Sequence, residues 1–342
     1  MHRCLQLARC AAGSTSPNPM VGAVIVCNGR IIGEGYHIKA GEPHAEVNAV
    51  RSVKSADRHL LPQSTIYVTL EPCSHYGKTP PCCDLIIKEG IKRVVIGTTD
   101  NNVCVNGTGI ARMKNAGIDV LVGVLENECY ALNGPFFTYN RLARPYITLK
   151  WAQTADGFID VEREGGAPLR ISTPVSQVAV HKLRSMHDAI LVGTRTALLD
   201  NPSLNLRHWA GRIPLRLVVD RAAVLPSTLN LFDGSSPTIV YTEKIVEGKF
   251  GKNIEQVVLD FSKDVLSQIL SHLHSLKIQS LLVEGGAKLL QSFIDASLWD
   301  RARVEVNNSL VVGSGIPAPI IAQTSLVAKE ICHENEILLF AK

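Results

Sequence analysis

The sequence predicts an α/β protein built as two layered domains. Its 342 residues are long for one hydrophobic core and comfortable for two. Strand-type and helix-type segments alternate along the chain, which implies sheets with helical crossovers. The alternation breaks at Asn140–Pro145, where Arg144-Pro145 forces an extended entry, and then starts afresh. Domains of 1–143 and 144–342 are therefore expected.

Taken in order, Val21–Val26 and Ile31–Gly35 flank Asn28-Gly29, a strong hairpin signal. A helix from about 44 to 53 follows, then a strand over 65–70. The next helix runs from Cys82 to Glu89 and stops at Gly90. A buried-type strand at 93–97, a helix at 109–115 ended by Gly117, a strand at 118–122 and a helix at 126–139 complete the first half. The second half opens with the apolar series Tyr146–Trp151. A helix over 174–186 is announced by Ser172-Thr173-Pro174, an N-cap followed by proline in the first turn. Strands at 189–193, 215–220, 237–241, 280–284 and 302–306 alternate with helices near 263–275 and 286–296, and 224–236 reads as loop.

Composition bounds the function. Hydrophobic residues make up 46% and charged residues 19%, as in globular proteins, and no run of about 18 apolar residues suggests a membrane span. Arginines interrupt the N-terminal apolar stretch, so no secretory leader is expected. Nine cysteines, an odd number, fit a reducing cytoplasm better than a disulfide framework. Cys4, Cys10, Cys27, Cys104, Cys129 and Cys332 are expected as small buried hydrophobes. The net charge of +4 suits anionic small molecules and is too small and dispersed for nucleic acid.

The chemistry is concentrated in two segments. Pro43-His44-Ala45-Glu46-Val47 supplies an imidazole and a carboxylate, and Glu71-Pro72-Cys73 through Pro81-Cys82 supplies two thiolates. One histidine and two cysteines form the three-ligand set of a catalytic zinc, which keeps a fourth position for water. Glu46 is placed to shuttle protons, the arrangement used in hydrolytic deamination. Side chains two apart on a helix face differently, so His44 and Glu46 share a site only at a helix start, for which Gly41-Glu42-Pro43 is suited. Pro72 likewise suits the first turn of a second helix carrying Cys73. The competing reading is a structural zinc closed by His75 or Cys83, or two buried free cysteines.

With these residues stated, the chain resembles the cytidine-deaminase superfamily, and within it the pyrimidine deaminases of riboflavin biosynthesis. The long loop Ser74-His75-Tyr76-Gly77-Lys78-Thr79-Pro80-Pro81 between the cysteines carries that likeness, with Ser16–Gly22, Gly35-Tyr36-His37 and Gly41–Glu46. The likeness continues past residue 145 into an NADPH-using reductase half. It implies a cytidine-deaminase-like three-layer α-β-α domain followed by a dihydrofolate-reductase-like α/β domain. It further implies zinc on His44, Cys73 and Cys82, with Glu46 catalytic, and substrate contacts at Asn18, His37, Lys78, Thr79, Asp100 and Asn102. The chain starts several residues later than such relatives usually do, so part of the first helix is expected to be missing.

In the second half the resemblance assigns NADPH to Ala152, Thr196, Asp200 and the backbone from Gly286 onward. It assigns substrate to Arg184, Leu204, Arg207 and Glu284, the arginines as forks for a phosphate. Read without the family, Val283-Glu284-Gly285-Gly286-Ala287 is either a phosphate-approaching turn or merely a tight strand–helix connection. The implied activity is deamination of a phosphorylated pyrimidine followed by NADPH-dependent reduction of its ribosyl group. A homo-oligomer formed through the reductase half is also implied. The sequence departs from the family pattern at Asn101 and Val103, at Thr154-Ala155, at Pro168-Leu169-Arg170 and at Arg221. Those departures leave a second reading, a zinc deaminase whose reductase-like half no longer uses a cofactor.

Overall fold

The structure, a computed structural model, describes residues 1–76, 80–100, 107–322 and 325–342. It divides into two compact units, Met1–Ala143 and Arg144–Lys342.

The first unit runs α1 (His2–Arg9), β1 (Gly22–Cys27), β2 (Arg30–Tyr36), α2 (Ala45–Ser52), a 3-10 segment (Ser55–Gln63) and β3 (Thr65–Leu70). It continues through α3 (Cys82–Lys88), β4 (Arg93–Thr98), α4 (Thr108–Asn115), β5 (Asp119–Val122), α5 (Glu126–Leu132) and α6 (Gly134–Leu142). The strands form one sheet in the order β2-β1-β3-β4-β5, antiparallel through β2-β1-β3 and parallel from β3 to β5. Asn28 and Gly29 both turn through the left-handed region, as the hairpin signal requires. Helix α1 packs on β1 and β3 and touches α5, whereas α2 packs on β1 and β2 and continues through α3 to α4. The sheet is thus covered on both faces, giving three layers. Ile25, Ile66, Val68, Val94 and Ile96 pack with Ala45, Ala49, Val50, Ile86 and Met113 in the core that carries α2 and α3.

The structure differs from the sequence expectation at two helices. Cys73 does not begin a helix: it lies in irregular chain after β3, and the second helix start belongs to Cys82, with Pro81 as its cap. The helix expected over 126–139 is two, because Pro135 has no N–H for the carbonyl four residues back. Asn133 marks the break, its side-chain amide bonding both the N–H and the carbonyl of Met20 at 2.8 and 2.9 Å.

The second unit begins with β6 (Tyr146–Thr154), β7 (Phe158–Asp160), α7 (Pro174–Ser185), β8 (Ala189–Gly193), α8 (Thr194–Asp200) and β9 (Leu215–Val219). After the 3-10 turn Asn230–Phe232 come β10 (Thr238–Thr242), β11 (Ile254–Val258), α9 (Val265–Ser275), β12 (Ser280–Glu284) and α10 (Ala287–Asp295). The unit closes with β13 (Arg301–Asn307), β14 (Ile316–Pro317), β15 (Ser325–Cys332) and β16 (Asn335–Ala341). Among the described residues the main sheet is ordered β11-β10-β9-β8-β12-β6-β13-β16-β15, parallel from β11 to β13 and antiparallel at the last two strands. Thr173 caps α7 by accepting the N–H of Ser176 at 3.1 Å, as its sequence announces.

On β6, Ile147, Leu149 and Trp151 point into the main core, which leaves Thr148, Lys150 and Ala152 on the opposite face. No helix among the described residues is long and apolar enough to cross a membrane. Cys4, Cys27 and Cys129 are buried as expected, but Cys10 is exposed and Cys332 half-buried, while Cys104 lies outside the described residues. Cys10 follows the last turn of α1 on its solvent side, and Cys332 ends an edge strand.

Candidate functional sites

In the first unit the start of α2 and the start of α3 meet the chain after β3. His44 is the N-cap of α2 with extended backbone, and Glu46 sits in that helix's first turn, buried to 3% exposure. This is the helix-start geometry that lets residues two apart face one place. His44 Nδ1 lies 3.6 Å from Cys73 Sγ and 3.4 Å from Cys82 Sγ, and the three ligand atoms all fall within 4.8 Å of one another. Zinc bonds of about 2.3 Å to sulfur and about 2.0 Å to nitrogen in a tetrahedron give a sulfur–nitrogen edge of about 3.5 Å. The spacing and chemistry of this donor set therefore fit zinc.

Closure by a fourth protein ligand is not supported. His75 is exposed, and neither it nor Cys83 joins the ligand group among the described residues. The backbone N–H of Cys82, at the first turn of α3, donates to Cys73 Sγ at 3.3 Å and favours a thiolate there. In the metal-free chain the hydrogen bond from the Cys82 thiol, with help from His44 and against burial, brings Cys73 down to about 4. Donating to Cys73 and being buried push the Cys82 thiol up. Burial and the Cys73 sulfur beside it push the Glu46 carboxyl up.

The ligands open on a cavity of about 220 Å³. Asn18, His37 and Asp100, all expected at the substrate, line it with His44, Glu46 and Cys73. His37 Nδ1 lies 3.1 Å from the Pro43 carbonyl and Nε2 lies 3.1 Å from Asn18 Nδ2. That pattern assigns a neutral ring donating through Nδ1 and accepting through Nε2, in keeping with burial pulling its pKa down. Lys78, Thr79 and Asn102 lie outside the described residues. Glu71, His75 and Phe136 also line the cavity and were not singled out for it from sequence. The signal for Glu71 is an acid directly after the apolar strand Thr65–Leu70.

The second unit holds a cavity of about 720 Å³ at the carboxyl ends of its central strands, where ligands of open α/β sheets bind. Ala152, Thr196, Asp200 and Gly286, expected at NADPH, all line it. So do Arg184, Leu204, Arg207 and Glu284, expected at the substrate. Gly285 and Gly286 turn between β12 and α10 with φ of +84° and +79°. A side chain at Gly285 would meet Thr196 Cγ2 at 2.8 Å, so the turn packs directly on that threonine.

Charge in this cavity is unevenly committed. Arg184 gives Nε and one terminal nitrogen to Glu284 at 3.0 and 2.7 Å, so its fork is already engaged. Burial opposes ionisation of Glu284, but the Arg184 charge and hydrogen bond, with Lys150, bring its carboxyl down to about 2. Arg163, its side chain 7% exposed, pairs with both Asp160 and Asp200. Arg170, Arg195 and Arg207 also line the cavity and form no ion pair among the described residues. Lys150 adds a further amine, its pKa pulled down by burial against the raising effect of Glu284 and Glu305. Six cationic side chains thus face three carboxylates, a field suited to anionic ligands. Lys150 was legible in principle as the one charged residue within Tyr146–Trp151; Arg163, inside Glu162-Arg163-Glu164, reads only as a solvated loop.

Known proteins share both halves. Residues 1–98 match the family described as the cytidine and deoxycytidylate deaminase zinc-binding region, and residues 145–333 match the RibD C-terminal domain. A riboflavin biosynthesis protein RibD from Aquifex aeolicus is 41% identical over 321 residues, covering 92% of this chain and 88% of the relative. Its counterpart from Bacillus amyloliquefaciens is 37% identical over 340 residues, covering 97% and 90%. The crystal structure of a diaminohydroxyphosphoribosylaminopyrimidine deaminase/5-amino-6-(5-phosphoribosylamino)uracil reductase from Thermotoga maritima is 38% identical. It matches with a TM-score of 0.91 over 100% of this chain and 97% of that one. By this extent of likeness in both halves, the chain belongs to the RibD family of riboflavin biosynthesis proteins.

Proposed function

We infer that the chain is a bifunctional enzyme of riboflavin biosynthesis. Its first unit deaminates 2,5-diamino-6-(5-phosphoribosylamino)pyrimidin-4(3H)-one by hydrolysis, and its second reduces the ribosyl side chain to ribityl with NADPH. The observation that carries the first step is the convergence of His44, Cys73 and Cys82 beside a cavity lined by His44, Cys73 and the buried Glu46.

His44, Cys73 and Cys82 would hold zinc, which would supply a Lewis acid that makes water nucleophilic at neutral pH. Glu46 would take a proton from the attacking water on its carboxylate and deliver it to the departing amine, which leaves as ammonia. Asn18, His37 and Asp100, which line the cavity, orient the pyrimidine; Lys78, Thr79 and Asn102 are assigned to the same substrate by the family likeness alone. Metal analysis with ammonia detection tests this step. Removing zinc with a chelator should abolish ammonia release, leave reduction of the deaminated intermediate intact, and be reversed by zinc alone.

NADPH, where bound, would supply the hydride of the second step. Ala152, Thr196, Asp200 and the Gly286 turn, which line the cavity, would hold it beside the substrate's ribosyl carbon. The substrate phosphate is assigned to Arg207 rather than to the engaged fork of Arg184. Replacing Arg207 with alanine should raise KM for the phosphorylated intermediate roughly 10- to 100-fold, the loss of one charge-assisted bond. The dephosphorylated analogue should be affected less than threefold (~), and equal losses would remove Arg207 from this role. Label transfer from deuterated NADPH to product supports the reductase; an unlabelled product favours the reading in which this half has lost cofactor use.

A further inference from the structure

We propose that Glu71 is a positioning residue of the deaminase cavity, its carboxylate fixing Asp100 and the start of α4 relative to the metal ligand Cys73. The proposal rests on the deaminase reading above. Glu71 is only 3% exposed, and a carboxylate removed from water needs hydrogen-bond donors in exchange. Among the described residues its donors are backbone N–H groups, and it forms no ion pair. Oε2 accepts from Asp100 at 3.3 Å and Gly107 at 3.0 Å; Oε1 accepts from Gly109 at 3.0 Å and Ile110 at 3.2 Å. One side chain thereby ties the end of β3 to the chain after β4 and to the first turn of α4.

The closeness of that approach is built into residue type. A side chain at Gly109 would stand 2.3 Å from the Pro72 carbonyl and 3.2 Å from Glu71 Oε1. Glycine there lets the helix start close on Glu71-Pro72-Cys73. The Glu71 N–H donates to the Thr98 carbonyl at 3.0 Å, so backbone and side chain of one residue both brace the segment leading to Asp100. Glu71 and Asp100 line the same cavity as His44, Glu46 and Cys73. Glu71 does not touch the reacting atoms in this account; it sets where the Asp100 backbone, and with it the side chain, stands.

Glu71→Gln keeps the shape but turns one acceptor into a donor facing N–H groups. Steady-state ammonia release by the zinc-loaded full chain should show KM raised at least about tenfold, with kcat within about threefold. Zinc should stay at about one per chain, and reductase activity should not change. The double variant with Asp100→Ala should lose no more than Asp100→Ala alone, since one residue acts through the other. Additive losses, an unchanged KM, or loss of zinc together with kcat would each overturn the proposal. If Glu71→Gln does not fold, Glu71→Asp keeps the charge one methylene further back and should raise KM by a smaller factor; wild-type KM there also overturns it. An unsubstituted chain that releases no ammonia removes the deaminase reading itself, which is a separate outcome.

Discussion

Glu46→Gln is expected to lower ammonia release by about 10³-fold while leaving zinc content and reduction of pre-deaminated substrate within about twofold. Glutamine has nearly the same size and shape, so it fills the buried place of Glu46 at the start of α2 without moving His44. What it cannot do is take a proton and hand it on. Among the described residues the reductase cavity is lined by residues from Lys150 to Ile316, so its activity should be independent of position 46. Separate assays of ammonia and of NADPH oxidation check both halves. If both activities fall together in a folded protein, the division of labour between residues 1–143 and 144–342 is wrong.

The largest effect on stability is expected at the pair Arg184–Glu284, which joins α7 to the end of β12 with both partners largely buried. Arg184→Met leaves the Glu284 carboxylate without its main counter-charge, a change that costs about 3–5 kcal/mol in buried pairs. For a unit of this size that corresponds to roughly 10 °C in the calorimetric transition of residues 144–342. Exchanging both partners, Arg184→Met with Glu284→Gln, should recover part of the loss, because the unpaired Glu284 charge is then removed while Lys150 keeps Glu305 as counter-charge. The same pair sets an acid limb. Glu284 has a folded value of about 2, below the ordinary glutamate value of about 4.3. Its contribution, about 3 kcal/mol, is complete above the ordinary value and is lost as pH falls through about 2. Melting temperatures between pH 5 and pH 2 should therefore fall in the native chain more steeply than in the double variant. Parallel curves would mean that the pair contributes little.

The legible parts of this protein were those where residue type itself carries the chemistry. His44, Glu46, Cys73 and Cys82 announce a metal site because no apolar core asks for that combination, and Pro43 places the helix start that lets two of them converge. Asn28-Gly29 and Thr173-Pro174 announce a turn and a helix start because few other residues tolerate those backbone states. Long-range pairing was not legible. Arg184 and Glu284 are 100 residues apart, and nothing local to either says that they meet. Arg163 looks solvated in sequence and is one of the most enclosed cations of its cavity. The terminal hairpin β15–β16 escaped because its edge strand leaves Val327 and Ile331 exposed, at 63% and 80%, so its apolar residues do not report burial. Cys73 was assigned a helix because Pro72 suits a first turn; the stretch after β3 stays irregular, and α3 begins nine residues later at Cys82.

Ammonia release from the phosphoribosylaminopyrimidine by zinc-loaded protein, with metal content measured on the same sample, bears most directly on the proposed centre. The geometry of His44, Cys73 and Cys82 predicts about one zinc per chain, lost on Cys73→Ala or Cys82→Ala together with ammonia release. Protein that binds zinc at these residues yet releases no ammonia from this substrate would contradict the account.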